Sequence, residues 1–159
     1  MVWGAIWREG KSKLVFMERD QDSPRKGYSA RSYIKALEEG LLPIYDATRH
    51  FQQENAKIHK AKASMGWIME HGIELWDWPA HSPDLNPIEH VWAWMKRYLR
   101  RKYPDQSNLN DNEAHIGIFK ARMVEAWEAM PQALIKKLID GLPARLRAVK
   151  RANGWYTKY

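Results

Sequence analysis

The chain has 159 residues, of which 45% are hydrophobic and nine are tryptophan, a composition that predicts one globular domain with a packed core. It has no cysteine, which excludes a disulfide framework and thiolate zinc sites, and no apolar run near the ~18 residues of a membrane span. The excess of 26 Lys and Arg over 19 Asp and Glu gives a net charge of +7, which favours a polyanionic partner.

A hairpin and a helix are predicted near the N-terminus. The runs MVWGAIW and KLVFMER, separated by the Gly-containing REGKS, have the composition and spacing of a β-hairpin. After a polar loop, apolar residues recur at helical spacing up to Pro43 and predict a first helix. These apolar residues are Tyr33, Ile34, Leu37, Leu41 and Leu42.

The chain then continues to alternate between strand and helix patterns. A short strand ending near Gln53 is followed by a helix that Gly72 ends and by a strand that Pro79 ends. The predicted order up to this point is ββαβαβ, which indicates an α/β fold.

The stretch WPAHSPDLNPIEHVW, residues 78–92, leads into an amphipathic helix. Asn86 is a good N-cap, Pro87 suits the first helical position, and Glu89 falls at the third, where a carboxylate completes a capping box. The apolar face of this helix consists of Ile88, Val91, Trp92, Met95 and Leu99. Glu89 therefore has two interpretations, a helix cap or a functional carboxylate.

The second half of that helix, KRYLRRKY at residues 96–103, is dense with Lys and Arg. One interpretation is a solvated helix end whose cations lie near the negative end of the helix dipole. The alternative is a phosphate-binding surface, because spacings of three and four residues put the cations on adjoining faces away from the apolar stripe. The candidate nucleic-acid-binding residues are Lys96, Arg97, Arg100 and Arg101.

A polar linker, PDQSNLNDNEA, precedes a helical C-terminal extension at about residues 111–159. The first predicted helix has Ile116, Phe119, Met123, Trp127 and Met130 on one face, and the second has Leu134, Ile135, Leu138, Ile139 and Leu142. Gly141 and Pro143 interrupt the second pattern. The basic, aromatic end ARLRAVKRANGWYTKY is compatible with a wet surface or with a nucleic-acid face.

Glu54 is a second carboxylate of interest, because it follows the predicted strand and 34 residues separate it from Glu89. A carboxylate at a strand end and another on a helix entering the same cleft could hold Mg²⁺, which uses few protein ligands. The residues also leave open a metal hydrolase based on histidine ligands, although no HExxH pair occurs. Its candidate ligands are His50, His59, His71, His81 and His90.

Four stretches together resemble the DDE transposases of the mariner superfamily, specifically the Tc branch. They are FQQENA with His59 after it, WPAHSPDLNPIEHVW at the 34-residue interval, the opening VWGAIWREGKSKL and the close LPARLRAVKRANGWYTKY. The resemblance implies a ribonuclease H-like fold in which three acids bind two divalent metal ions, Mg²⁺ or Mn²⁺, for DNA strand cleavage and joining. Glu54 matches the second acid of the family and Glu89 the third, so both are candidate catalytic and metal-binding residues.

Two departures from the family pattern limit the expected activity. The second acid of the family is an aspartate in a QDNA stretch, whereas this chain reads QENA, and the extra methylene displaces the carboxylate by about 1.5 Å. A misplacement of about 1 Å can cost on the order of 100-fold in rate. The first aspartate of the family lies on the strand before VWG, and no residue of this chain matches it.

The chain is therefore expected to be a single partial catalytic domain over residues 1–159, N-terminally truncated and lacking its first strand, with a mixed sheet flanked by helices. We expect a fragment or relic of a transposase that binds DNA in the nucleus, has a weak or absent metal site and is inactive, with a homodimer as a further expectation. The alternative is a non-catalytic DNA- or protein-binding module derived from a transposase.

Overall fold

The computed structural model describes residues 1–78, 82, 85–105, 109–110 and 112–152. The chain divides into two compact units, one of Met1–Ala5 with Ser12–Ser82 and one of Ile6–Lys11 with Pro83–Tyr159. The described strands are β1 (Val2–Trp3), β2 (Ile6–Trp7), β3 (Gly10–Lys11) and β4 (Val15–Phe16). The described helices are α1 (Ala30–Gly40), α2 (Lys57–Lys60), α3 (Lys62–Glu70), α4 (Pro87–Lys102), α5 (Glu113–Glu128), α6 (Gln132–Asp140) and α7 (Leu142–Arg151).

The predicted β-hairpin is present as two short antiparallel pairs, although Gly10 and Lys11, which the sequence placed in the turn, form β3. In the first unit β1 pairs with β4, with Val2 opposite Phe16 and Trp3 opposite Val15. In the second unit β2 pairs with β3, with Trp7 opposite Gly10, so that only two residues form the connecting turn. The buried side chains of Trp3 and Val15 join the core of the first unit.

The first helix is confirmed, and its start has a local cause. The Ser29 hydroxyl accepts hydrogen bonds from the backbone N–H groups of Arg31 and Ser32, and the Ser32 hydroxyl oxygen accepts one from the Ser29 N–H, which completes a capping box. The face of α1 that packs on α3 and β4 is fully buried at Tyr33 and Leu37. The core of the first unit therefore forms around α1.

The two predicted strands near Gln53 and Pro79 are present as a single parallel bridge between Phe51 and Leu75. The Phe51 N–H donates to the Glu74 carbonyl at 2.7 Å, and the Trp76 N–H donates to the Phe51 carbonyl at 2.9 Å. The helix between them, α3, ends as predicted before Gly72, whose φ of +62° lies in the left-handed region that glycine adopts without strain.

The second unit is a helical core built on α4. Its buried face contains Val91, Met95 and Leu99, as the apolar stripe predicts, and it packs against α5 and α6. The Trp92 ring stacks on the fully buried Trp127 ring at a centroid distance of 5.5 Å. These contacts fix α4, and with it every residue that α4 exposes.

The C-terminal extension differs from the sequence prediction in two respects. The second predicted helix is two helices, because Gly141 ends α6 and Pro143, which has no N–H to donate, lies in the first turn of α7. The apolar stripe of α5 is buried only near its end, at Trp127, whereas Ile116 and Phe119 are each 41% exposed. Among the described residues, no helix combines the length and the apolar character that a membrane crossing requires.

Candidate functional site

Glu89 lies in the first turn of α4, as predicted, and its side chain is exposed. The Asn86 side chain accepts a hydrogen bond from the Ile88 N–H at 3.3 Å, which confirms Asn86 as the N-cap, and Pro87 occupies the first helical position. Asn86 and Pro87 therefore account for the helix start, and the resemblance implies a second role for the Glu89 carboxylate. That role as a metal ligand stays a prediction.

Glu54 lies in the first unit, in an extended segment three residues after the bridge at Phe51, and its side chain is exposed. Three hydrogen bonds anchor the backbone around it. The Tyr33 hydroxyl donates to Gln53 Oε1 at 2.5 Å, His59 Nδ1 donates to the Glu54 carbonyl at 3.0 Å, and Asn55 Nδ2 donates to the Trp78 carbonyl at 3.1 Å. The carboxylate thus projects from a fixed segment of chain.

The surroundings of His59 disfavour its protonation and select one tautomer of the neutral ring. Its burial lowers its pKa below the ordinary value, against a smaller opposite effect of its hydrogen bond to the Glu54 carbonyl. A carbonyl oxygen only accepts, so Nδ1 carries the proton of the neutral ring. The ring also packs on the Tyr33 ring at 4.1 Å, and burial raises the pKa of Tyr33, so that its hydroxyl keeps the proton it donates to Gln53.

The predicted metal pair is divided between the two units, since Glu54 belongs to the first and Glu89 to the second. Within the described ranges, no group of three or more His, Asp or Glu side chains is placed to hold a metal ion. The assignment of Glu54 and Glu89 as metal ligands and catalytic residues therefore stays a prediction.

The histidines proposed for a metal hydrolase have other partners or stand apart. The His50 ring lies 3.1 Å from a Glu74 carboxylate oxygen at the surface, and His71 contacts the Trp67 carbonyl and stacks on the Trp67 ring. His90 is exposed on α4, and His81 lies outside the described residues. Of these candidates, His50, His59 and His71 each contact a group of the protein, and the use of any of them as a metal ligand stays a prediction.

Four cations project from α4 into solvent, namely Lys96, Arg97, Arg100 and Arg101, and we call them the α4 ridge. Across the part of the chain that the structure describes, none of the four has an acidic side chain within ion-pair distance. They lie on the opposite side of the helix from the buried Met95 and Leu99. The ridge is therefore accessible to a large anionic partner.

Lys102, the next cation along the helix, is engaged within the protein. Its ammonium group lies 2.5 Å from Glu125 Oε1 on α5, and the hydroxyls of Tyr98 and Tyr103 donate to the same carboxylate. The bond from Lys102, followed by those from the two tyrosines, lowers the pKa of Glu125 to about 2. This cluster joins the end of α4 to α5 and separates Lys102 from the α4 ridge.

Sequence reasoning missed the residues that hold the candidate groups in place. Tyr33, Asn55 and Glu125 make their contacts 20 or more positions along the chain, and no local pattern marks such pairs. The one available signal was His59, which stands five residues after Glu54 within the stretch that carries the resemblance.

Comparison with known proteins identifies relatives along the chain. A family model described as DDE superfamily endonuclease matches residues 4–110. The Tc1 transposase of Caenorhabditis elegans is 38% identical over 109 residues, which cover 69% of this chain and 37% of that protein. The Tc3 transposase of the same organism is 32% identical over 164 residues, covering 97% and 44%. The chain thus spans less than half the length of these relatives.

Solved structures of the Mos1 transposase share the fold of this chain. A structure of the Mos1 catalytic domain with raltegravir and Mg matches 99% of this chain and 77% of that chain, with a TM-score of 0.67 and 21% identity. The Mos1 strand transfer complex matches with a TM-score of 0.71, covering 99% and 44%, also at 21% identity. The ribonuclease H-like α/β fold that the resemblance implied is confirmed.

Proposed function

Because the chain belongs to the DDE superfamily endonuclease family, in its Tc/mariner branch, we propose that it is a transposase-type chain that binds duplex DNA through the α4 ridge. In the intact family this fold serves DNA strand cleavage and joining. Glu54 and Glu89 match two of the three acids that this chemistry uses, and Glu89 stands at the start of the helix whose second half carries the ridge.

The observation that carries the proposal is the accessibility of the α4 ridge. Four cations within six residues are exposed on a helix whose other face is fixed in the core by Val91 and Met95. A rigid row of cations suits a duplex, because its phosphates are regularly spaced and their counterions are released on binding. The binding requires neither base contacts nor catalysis.

The carboxylates of Glu54 and Glu89 fit a divalent metal in kind, since Mg²⁺ and Mn²⁺ prefer oxygen ligands and both side chains are exposed. When bound, the metal would stabilise developing charge on a phosphate oxygen. The residues around Glu54 orient its backbone, through the bond from His59 and the bond from Asn55. Because Glu54 is one methylene longer than the aspartate that the family has at this position, we propose weak metal binding and no strand cleavage by this chain.

The second candidate, a non-catalytic DNA-binding module derived from a transposase, is favoured by the same exposed ridge, which functions without the acids. A nuclear location and a homodimer are further proposals that rest on the resemblance. The DNA-binding proposal is common to both candidates, which differ in whether Glu54 and Glu89 still bind a divalent metal ion.

The test is to measure duplex binding and plasmid cutting with one preparation of the chain. We expect binding without sequence preference at roughly 10⁻⁴ to 10⁻⁶ M, weakening steeply as salt rises. Supercoiled plasmid should stay intact in Mg²⁺ or Mn²⁺. Absence of duplex binding at low salt would refute the proposed function, whereas metal-dependent nicking that Glu89→Gln abolishes would show that the two matched acids suffice for cleavage.

A further inference from the structure

The segment from Gly141 to the end of the chain has a marked excess of positive charge. Residues 141–159 contain no Asp or Glu, and their cations are Arg145, Arg147, Lys150, Arg151 and Lys158. The nearest acid before them, Asp140, is already engaged, because Arg8 lies 2.8 Å from its Oδ1 and Lys136 lies 2.7 Å from its Oδ2. The charge of α7 is therefore not balanced by neighbours in sequence.

Helix α7 presents its described cations on two opposite faces. Leu142 and Arg145 are buried, and the Arg145 guanidinium donates to the Leu138 carbonyl at 2.5 Å near the end of α6. An arginine bonded to a carbonyl of the last helical turn ties the two helices together. Its bond fixes the rotation of α7 about its own axis.

The opposite side of α7 carries Arg147, Lys150 and Arg151, which we call the α7 face. Spacings of three and four residues place them together on one side of the helix, and all three are exposed. Among the residues that the structure describes, no acidic side chain pairs with any of them. A fixed helix therefore holds three uncompensated cations toward solvent.

We propose that the α7 face is a second phosphate-binding surface, which contacts the backbone of duplex DNA independently of the α4 ridge. The inference rests on the proposed function only for the identity of the polyanion. Arg147 is separated from Lys150 and Arg151 by about 4.5 and 6 Å along the helix axis, since each residue of an α-helix rises about 1.5 Å. A cluster of this kind contacts backbone phosphates without reading sequence.

The test compares salt dependence among three variants. In the first, Arg147, Lys150 and Arg151 are replaced by Ala. The control loses the same charge by replacing Lys13, Arg31 and Lys35 with Ala; these cations of the first unit already lie 2.8, 2.9 and 3.6 Å from acidic partners. The third, Arg147→Lys with Arg151→Lys, keeps the charge. All three are compared with the parent chain on one duplex of arbitrary sequence.

We expect the α7 variant to flatten the plot of log affinity against log salt by up to about 2.7 units, which is about 0.9 for each phosphate that the three cations neutralise. The control should change the slope by less than about one unit, and the lysine variant should keep the parent slope. A triple Gln variant replaces the Ala variant if the latter does not melt cooperatively. An α7 slope equal to that of the control would overturn the inference.

The result also separates this inference from the proposed function. The α4 ridge variant, in which Lys96, Arg97, Arg100 and Arg101 are replaced by Ala, is measured on the same duplex. If it loses slope and the α7 variant does not, the proposed function stands and the α7 face is a solvated helix side. If only the α7 variant loses slope, the α7 face binds DNA and the role of the α4 ridge is wrong. If neither does, both are wrong.

Discussion

At the residue scale, the cluster around Glu125 shows how one carboxylate can bind a neighbouring cation and so keep it from contacting a phosphate. Glu125 accepts bonds from Lys102, Tyr98 and Tyr103, so that the last cation of α4 is held against α5. Lys102 directly follows Arg100 and Arg101 in the sequence, and the local pattern gives no reason for it to behave differently from them. The structure separates it by a partner on the next helix, which no local pattern reveals.

Replacing Glu125 by Gln should remove part of the acid sensitivity of the chain. The bonded carboxyl has a folded pKa of about 2, below the ~4.3 of an unfolded glutamate. A carboxyl with a lowered pKa stabilises the fold above its unfolded pKa, and this contribution disappears as pH falls through the folded value. Thermal melts from pH 7 to 2 should therefore show a shallower decline between about pH 4.3 and 2 in Glu125→Gln.

The matched control for this experiment is Glu38→Gln, at an exposed position on α1. Its melting temperature should follow the parent chain across the same pH range. Parallel pH profiles for Glu125→Gln and the parent chain would contradict the stabilising role of the cluster.

The two interpretations of Glu89 differ in what its removal does to stability. Asn86 already serves the start of α4, so Asn86→Ala should cost about 1 kcal/mol in the free energy of unfolding. If Glu89 is a metal-site acid, Glu89→Ala should cost less than about 0.5 kcal/mol. Denaturant melts of both variants without added metal decide between the two interpretations. Equal losses in the free energy of unfolding would show that Glu89 is part of the helix cap.

At the element scale, the sequence predicts a helix wherever an apolar stripe is long. It does not predict how much of that stripe other helices bury. The stripe of α1 is buried at Tyr33, Leu37 and Leu41 but exposed at Leu42, beyond the end of the helix. The stripe of α4 is buried at Val91, Met95 and Leu99, whereas that of α5 is covered only near Trp127, because burial depends on where other helices lie. The strand predictions near Gln53 and Pro79 reduce to one bridge for the same reason, since a ladder needs a partner far along the chain. The spacing of apolar residues therefore predicts whether a segment is a helix or a strand, and tertiary contacts determine which of its residues are buried.

The end of α1 gives a prediction about packing. A Cβ at Gly40 would overlap the buried Trp3 ring and would lie 3.0 Å from Val15 Cγ2. Replacing a helical Gly by Ala ordinarily stabilises by roughly 0.5 to 1 kcal/mol, but overpacking a core costs about 1 to 3 kcal/mol. Gly40→Ala should therefore destabilise the chain in a urea melt, because the indole ring must move.

Gly66 provides the opposite case on α3. A Cβ added there meets no atom within 4 Å, so Gly66→Ala should stabilise the chain by roughly 0.5 to 1 kcal/mol. If instead the Gly40→Ala variant were more stable than the parent chain, Trp3 would not pack against the end of α1 as the structure shows.

At the scale of the whole molecule, charge connects sequence to function more directly than catalytic geometry does. The net charge of +7 and the family resemblance both predicted a polyanionic partner, and the exposed α4 ridge and α7 face give that charge a location. Glu54 and Glu89 could be predicted as catalytic acids only because the motifs around them are specific, and that assignment stays a prediction. Their supporting contacts, such as Tyr33 to Gln53, required the folded chain.

The most direct test of the central claim is the salt dependence of duplex binding by the parent chain and by a variant with Lys96, Arg97, Arg100 and Arg101 replaced by Ala. The control removes four cations that already have acidic partners, Lys13, Arg31, Lys35 and Arg49. Binding through the α4 ridge predicts that the ridge variant flattens the slope by up to about three or four units, while the control changes it far less. Equal slopes for the ridge variant and the parent chain would show that the ridge is only a solvated helix end.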